Sequence, residues 1–441
     1  MTDLPRRAVT RSARLASLPL GVAGRSLVGL GRRVAGRSQE EVNAELQART
    51  AQQLFEVLGN LKGGAMKVGQ ALSVMEAALP EELVAPYRES LSRLQEAAPS
   101  LPPPDVHRIL EQELGSDWRS RFQQFGDEAV AAASIGQVHR AVWSDGRDVA
   151  VKVQYPGAAE ALMSDIRQLS RTARMSAGWL PGLDLEGVLY ELKQRAAEET
   201  LYDLEAAAQD AFAHAYAGDP DVLVPAVVVG TERVLVSEWV GGTPLSQVIA
   251  DGTAAERDRV SEVLLSLLMG APGRSGLLHA DPHPGNFRLL PDGRVGVLDF
   301  GAVHRLPDGL PPALGRMVTQ VLDRDAESLL EELVAEDFVR GSVRVDPEQL
   351  LDFLGRFITP LETEEFTFER DWLRGVFDDL KDPRSTAFSL GIRLNLPPDY
   401  LMIYRAWLGG LAVLCQVGGT VRARDVVARE VPGFEPPSSA A

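Results

Sequence analysis

At 441 residues the chain is long enough for more than one hydrophobic core, and two lobes are the expectation. Its 45% hydrophobic and 24% charged residues belong to a globular protein, and its single cysteine, Cys415, excludes an internal disulfide and a cysteine-based zinc site. The net charge of −17 argues against a general nucleic-acid binder, which needs a basic footprint on the phosphates. No nucleic-acid partner is expected.

Residues 1–38 differ from the rest. They carry eight Arg against one Asp, net +7, which leaves −24 on the remainder. Arg14 and Arg25 interrupt any apolar stretch that could serve as a secretory signal. Leu15, Leu18 and Val22, then Leu27, Leu30 and Val34, recur at helical spacing among the arginines, as in a helix lying on an anionic membrane surface. Pro19 and several glycines favour the other reading, a flexible arm. Residues 39–98 lack helix-breaking residues over most of their length and predict a helical extension, which "APSLPPPD" ends.

Residues 99–240 are expected to form a small β-rich lobe. "VAAASIGQVHRAVWSDGRDVAVKVQ" reads as a small-residue turn, a strand from Gly136 to Val142, a Ser-Asp-Gly turn and a second strand from Asp148 to Gln154. Residues 158–217 are helical by pattern, and "VLVPAVVVGTERVLVSEWVGG" supplies two further strands around "GTER". Residues 241–431 predict a mainly helical lobe, interrupted by "DPHPGNF" and by a short strand pair around Pro291-Asp292-Gly293; residues 432–441 read as a flexible tail. "YLMIYRAWLGGLAVLCQVGG" is apolar but contains Arg405, and is read as a buried helix broken by glycine. Cys415 within it is a core residue. The fold class expected is α+β, a bilobal protein-kinase-like arrangement with a helical extension.

A phosphotransferase that uses a nucleotide needs a lysine on the phosphates, a base and metal-binding oxygens. "VAVKV" sets Lys152 in a strand between valines, where an unpaired ammonium is expensive. "HADPHPGN" holds Asp281 as the base and Asn286 as a metal ligand. Asp299 of "DFG" follows as the second metal ligand, eighteen residues after Asp281, beyond the predicted hairpin. The competing zinc trio, His279, Asp281 and His283, is separated by Pro282 and Pro284, which exclude a helix that would gather it, and it leaves Asn286 and Asp299 unexplained. ATP or ADP with Mg²⁺ is therefore the expected cofactor, with His279 and His283 shaping the loop.

From about residue 40 to 425 the sequence resembles the UbiB/AarF-type atypical kinase-like family. The motifs that carry the resemblance are "KVGQ" (Lys67 to Gln70), "AAASIGQVH" (Ala131 to His139), "HADPHPGN" and "DFG". It implies that Lys67, Gly69 and Gln70 lie on a regulatory segment folded over the active site. It also implies that Ala131, Ala132, Ala133, Ser134, Ile135, Gly136 and Gln137 form the phosphate loop, where small residues let backbone N–H groups approach. Glu199 would take the first position of an ExD motif and Glu205 would be the helix carboxylate for Lys152. Leu201 stands where the family has the Asp. "VSEWVGG" is similar to a kinase hinge, with Glu238 and Val240 on the adenine.

The resemblance implies an ATPase supporting isoprenoid quinone biosynthesis, cytoplasmic and peripheral on the inner face of the cell membrane. A lipid or quinone precursor is the expected partner, and a homodimer is allowed. The alternatives are a small-molecule phosphotransferase of the aminoglycoside-kinase type and a nucleotide-binding scaffold without catalysis.

Overall fold

The computed structural model describes residues 100–133, 135–160, 163–164, 167, 200–340, 343–381, 385–391 and 393–436. The basic arm, the extension with Lys67, Gly69 and Gln70, and also Ser134, Glu199 and the tail from 437 lie outside the described residues. The chain divides into two compact units, one reaching Leu201 and including Thr231–Val234, the other comprising Tyr202–Gly230 and Leu235 onward. The sequence reading had put this boundary at 240–241.

The first unit opens with helix α1 (Pro103–Leu114), which begins at a run of prolines and buries Val106, Ile109, Leu110 and Leu114. Prolines suit a helix start because the first N–H groups have no intrahelical partner. A short 3₁₀ turn (Trp118–Arg121) leads into β1 (Phe122–Ala133), β2 (Gly136–Trp143) and β3 (Asp148–Gln154), an antiparallel meander. The β2–β3 turn has Gly146 at φ 94°, a conformation that favours glycine. Strand β1 was not anticipated. Ala131, Ala132 and Ala133 are not a free turn; they pair with Val138, Gln137 and Gly136, so the alanine run is the last part of a strand. Three register shifts interrupt the β1–β2 ladder, one of them between Phe125 and Ala129. Beneath the hairpin Trp118, Phe122, Phe125 and Trp143 pack edge to face, with ring centroids 4.9–6.1 Å apart. Glu113 of α1 pairs with Arg233 at 2.8 Å and Gln154 N–H donates to the Arg233 carbonyl, which fastens residues 231–234 to this unit.

The second unit begins with α2 (Tyr202–Ala215), β4 (Val222–Leu223) and the antiparallel pair β5 (Val227–Gly230) and β6 (Val234–Glu238). Next come β7 (Thr243–Pro244), α3 (Leu245–Asp251) and α4 (Ala254–Ser275), the central helix. A reciprocal capping box between Thr253 and Glu256 starts α4, and Gly276 in the left-handed conformation ends it. Strands β8 (Leu277–His279), β9 (Phe287–Leu289), β10 (Val295–Val297) and β11 (Val303–Arg305) follow. The sheet order is β4-β10-β9-β7, while β8 pairs with β11.

Helices α5 (Pro312–Leu322), α6 (Ala326–Ala335) and α7 (Pro347–Ile358) share a core of Met317, Leu329, Leu333, Leu350 and Leu351. After β12 (Phe366–Thr367) come α8 (Arg370–Lys381), α9 (Thr386–Gly391), α10 (Pro398–Val417), β13 (Thr420–Val421) and α11 (Ala423–Glu430). Helix α10 corrects the sequence reading: it runs unbroken through Gly409 and Gly410 and stops at Gly418, φ 71°. A Cβ at Gly410 would run into the Leu268 side chain of α4, so glycine serves close helix packing here. Asp399–Val417 is long and apolar enough to cross a membrane, the one such helix among the described residues, yet 61% of its apolar window is buried. Cys415 is buried there, which pushes its thiol pKa up to about 12 and leaves it inert.

Candidate active site

In the second unit, the β8–β11 pair and the β9–β10 hairpin bring the polar loop residues together. Ala280 N–H donates to the Ala302 carbonyl (3.0 Å) and Leu298 N–H to the Asn286 carbonyl (2.9 Å), so the loop after β8 and the loop after β10 lie side by side. Within the first loop, His283 N–H donates to Asp281 O (2.7 Å) and Asn286 N–H to His283 O (2.9 Å). The His283 Nδ1 caps the Gly285 N–H at 3.1 Å, starting the 3₁₀ turn Pro284–Asn286. Asn286 is 7% exposed. Its Nδ2 donates to the Asp281 carbonyl (2.9 Å) and toward Asp281 Oδ2 (3.4 Å), which leaves its Oδ1 as the atom able to meet a cation.

The second loop is held from below. His279, 1% exposed, bonds through Nε2 to the Asp299 carbonyl at 2.8 Å. Asp299 Oδ1 accepts the Gly301 N–H at 2.9 Å, so the carboxylate is turned toward its own loop by its neighbour two residues on. Phe300 is buried against Phe212 of α2 (5.0 Å between centroids) and His279 (5.8 Å). Glu205 stands two turns before Phe212 on α2, 5% exposed. A Cβ at Gly301 would sit 3.2 Å from Asp299 Oδ1 and 3.5 Å from Glu205 Oε2, so both carboxylates border this glycine and the absence of a side chain there keeps the space between them.

Asp281, Asn286, Asp299 and Glu205 thus share one region of the second unit. The zinc trio does not assemble: His279 is spent on the Asp299 carbonyl and His283 on Gly285, and no group of three His, Cys, Asp or Glu able to hold a metal occurs among the described residues. Asn286 and Asp299 offer oxygen atoms, the donor type that Mg²⁺ takes, and they fit that ion. The Glu238 N–H is committed to the Ala226 carbonyl at 3.0 Å, and Val240 is buried at 8% exposure.

The first unit holds the other residues singled out in the sequence. Lys152 lies on β3, half-buried, between Val151 and Val153, which are both fully buried on the opposite face. Its register partner is Val138. Ile135 is buried and its carbonyl accepts the Tyr155 N–H at 2.8 Å, which pins the end of the alanine segment. Gln137 lies on β2, and its side chain has a use that the sequence does not reveal. It is 1% exposed and its side chain is consumed by Leu101 and His139. Only its backbone remains for a ligand. Two contributors escaped the sequence reading, Phe212 and Gly301. The first carries no motif, and the second stood inside "DFG" without a role of its own.

The family model for the ABC1 atypical kinase-like domain matches residues 93–333. The mitochondrial atypical kinase COQ8B of Rattus norvegicus is 32% identical over 346 residues, 77% of this chain and 64% of that protein. The mitochondrial atypical kinase coq-8 of Caenorhabditis elegans is 30% identical over 354 residues, 77% of this chain and 46% of the relative. The chain therefore spans less than two thirds of the length of these curated relatives. Among solved structures, the complex of Rv3197 with erythromycin from Mycobacterium tuberculosis is 44% identical, with a TM-score of 0.70, and the match covers 90% of this chain and all of that one.

Proposed function

Since the chain belongs to the ABC1 atypical kinase-like family, we propose that it binds and hydrolyses Mg-ATP, and that this hydrolysis supports isoprenoid quinone biosynthesis or lipid handling at a membrane surface. The observation that carries the chemistry is the pairing of the two loops. Asn286 is tied to Asp281 through Nδ2, and Asp299 is tied to Gly301 and, through its carbonyl, to His279. Asn286 and Asp299 would hold the magnesium ion, which when bound neutralises phosphate charge. Asp281 would orient the attacking water or hydroxyl and take its proton. Lys152 is the phosphate-binding lysine that the family resemblance implies. The quinone link rests on the COQ8-type relatives, and the membrane link on the basic residues 1–38. The test is ATPase activity of the purified chain with and without anionic liposomes and quinone-precursor phenols. Stimulation by both is expected. Turnover that neither changes removes the lipid and quinone assignment, and no turnover at all removes the ATPase.

The erythromycin complex of the 44% identical mycobacterial protein favours a second reading, binding of a macrolide. A thermal shift with erythromycin, measured with and without Mg-ATP, separates the two. A macrolide shift together with labelled phosphate on the drug would establish the small-molecule kinase instead.

A further inference from the structure

The first unit contains a closed chain of hydrogen bonds that the nucleotide reading does not use. Leu101 N–H donates to Gln137 Oε1 at 2.6 Å, Gln137 Nε2 lies 2.9 Å from His139 Nε2, and His139 Nδ1 lies 2.8 Å from the Gly126 carbonyl. Gln137 and His139 are two residues apart on β2, hence on one face, and are 1% and 0% exposed. The donors and acceptors can be assigned without choice. A backbone N–H fixes Oε1 as the acceptor, so Nε2 of Gln137 must donate. His139 Nε2 must then carry a lone pair, and its Nδ1 hydrogen goes to Gly126. The register shift between Phe125 and Ala129 takes Gly126 out of the ladder and gives its carbonyl to His139. Gly126 has no side chain to spare, since a Cβ would sit 2.8 Å from the Arg140 carbonyl.

The far end of this chain is an unusual place for a bond. In residues 99–104, "PSLPPP", only Ser100 and Leu101 carry an amide hydrogen, because proline has none. Pro103 and Pro104 belong to α1 and Pro102 caps it through its carbonyl, so ahead of the helix Ser100 and Leu101 are the donors that can fasten the chain. Residues 39–98 reach the β-lobe through this run.

We propose that Gln137 and His139 are a clasp that holds Leu101, and with it the point at which the N-terminal extension joins the β-lobe. The motif "AAASIGQVH" then has two halves: small residues that end β1, and a Gln-x-His that grips the preceding linker. The clasp needs a neutral imidazole. Burial holds the His139 pKa below its ordinary value, and His107 of α1 acts in the same direction, while the Gly126 hydrogen bond and Asp127 of β1 act against it.

The proposal does not depend on nucleotide chemistry, and its test uses none. Hydrogen exchange of the full chain at pH 7.5 is followed by mass spectrometry on peptides spanning 99–104 and on peptides from β2 and β3. In the wild type, the Leu101 amide is expected to be protected and that of Ser100, which is exposed, is not. Gln137→Met keeps the volume and removes the polar atoms, and should speed Leu101 exchange about fivefold to tenfold, as the loss of one hydrogen bond implies, with β2 and β3 unchanged. Gln137→Glu should retain the protection, because a carboxylate accepts from both Leu101 and a protonated His139, and a titration by nuclear magnetic resonance should show the His139 pKa raised. An unprotected Leu101 amide in the wild type overturns the clasp whatever the variants do. So does unchanged exchange in Gln137→Met, loss spread equally over β2 and β3, which would mark an ordinary core residue, or failure of Gln137→Glu to rescue.

Discussion

The β1–β2 hairpin of the first unit and the paired loops of the second are both built from buried polar side chains, and they end in opposite states. In the hairpin, Gln137 and His139 match each other, one backbone donor and one backbone acceptor, and both side chains are sealed from solvent. In the loops, His279 and Asn286 are sealed in the same way, at 1% and 7% exposure, but Asp281 and Asp299 beside them remain partly exposed. A buried polar network is costly unless satisfied, and the hairpin bonds Gln137 and His139 within itself, while in the loops His279 bonds through Nε2 and Asn286 through Nδ2. The loops differ from the hairpin in carrying partly exposed carboxylates, Asp281 and Asp299, at the edge of the network. A motif residue is therefore assigned by what its side chain is spent on.

That contrast is broken most directly at Asp281. Asp281→Asn should lower turnover by about 10² to 10⁴ while nucleotide affinity is kept, the range for loss of a general base. Steady-state ATPase with a parallel binding titration measures it, and turnover within threefold of wild type would make Asp281 part of the scaffold. Asp299→Asn should instead abolish the magnesium-dependent part of the thermal shift by ATP or ADP, because a neutral amide no longer supplies charge to the cation. A shift that keeps its metal dependence would remove Asp299 from the site.

Much of this was legible in the sequence, because the signals were local. The Ser-Asp-Gly and Pro-Asp-Gly turns mark the β2–β3 and β9–β10 hairpins, and the alternation in "VAVKV" places Lys152 in a strand. The pattern "HADPHPGN" with "DFG" marks the paired loops. Three features were not legible, for separate reasons. Alanine is a poor strand former and β1 is largely exposed, so neither propensity nor alternation reveals that strand. Glycine destabilises an isolated helix, so Gly409–Gly410 reads as a break, yet contact with Leu268 from another helix overrides it. The division after Leu201 follows from α2, whose Phe212 packs on Phe300 nearly ninety residues later, a contact no sequence pattern encodes. Gln137 was assigned to the loop by its position in a motif, and only its partners show how its side chain is used.

A packing substitution in the second unit, away from the loops' carboxylates, sharpens the comparison with a smaller effect. Gly410→Ala forces a methyl against Leu268, and overpacking of this kind costs about 1–3 kcal/mol. The melting temperature should fall, while the magnesium-dependent shift by nucleotide persists in the folded protein. Loss of that shift at temperatures where the variant is folded would mean that the α4–α10 contact, and not the loops alone, sets the site.

The smallest effect expected is that of pH on the hairpin. Above an ordinary imidazole pKa of about 6.5 His139 is neutral whether folded or unfolded, and its titration contributes no change in stability. As pH falls below that value the unfolded chain takes up a proton that the folded hairpin refuses, because burial lowers the His139 pKa. Stability present above about pH 6.5 is therefore lost as pH falls toward the folded pKa, with a slope of at most about 1.4 kcal/mol per pH unit from this one residue. Carboxylates elsewhere add slopes of their own at lower pH, so the comparison is between wild type and Gln137→Glu rather than with zero. In the variant the imidazolium meets a carboxylate, its folded pKa rises, and the loss between pH 7.5 and 5.5 should flatten or reverse. Urea midpoints at pH 7.5, 6.5 and 5.5 measure the difference, and parallel curves for the two proteins would show that His139 titrates without regard to Gln137, contrary to the bond between them.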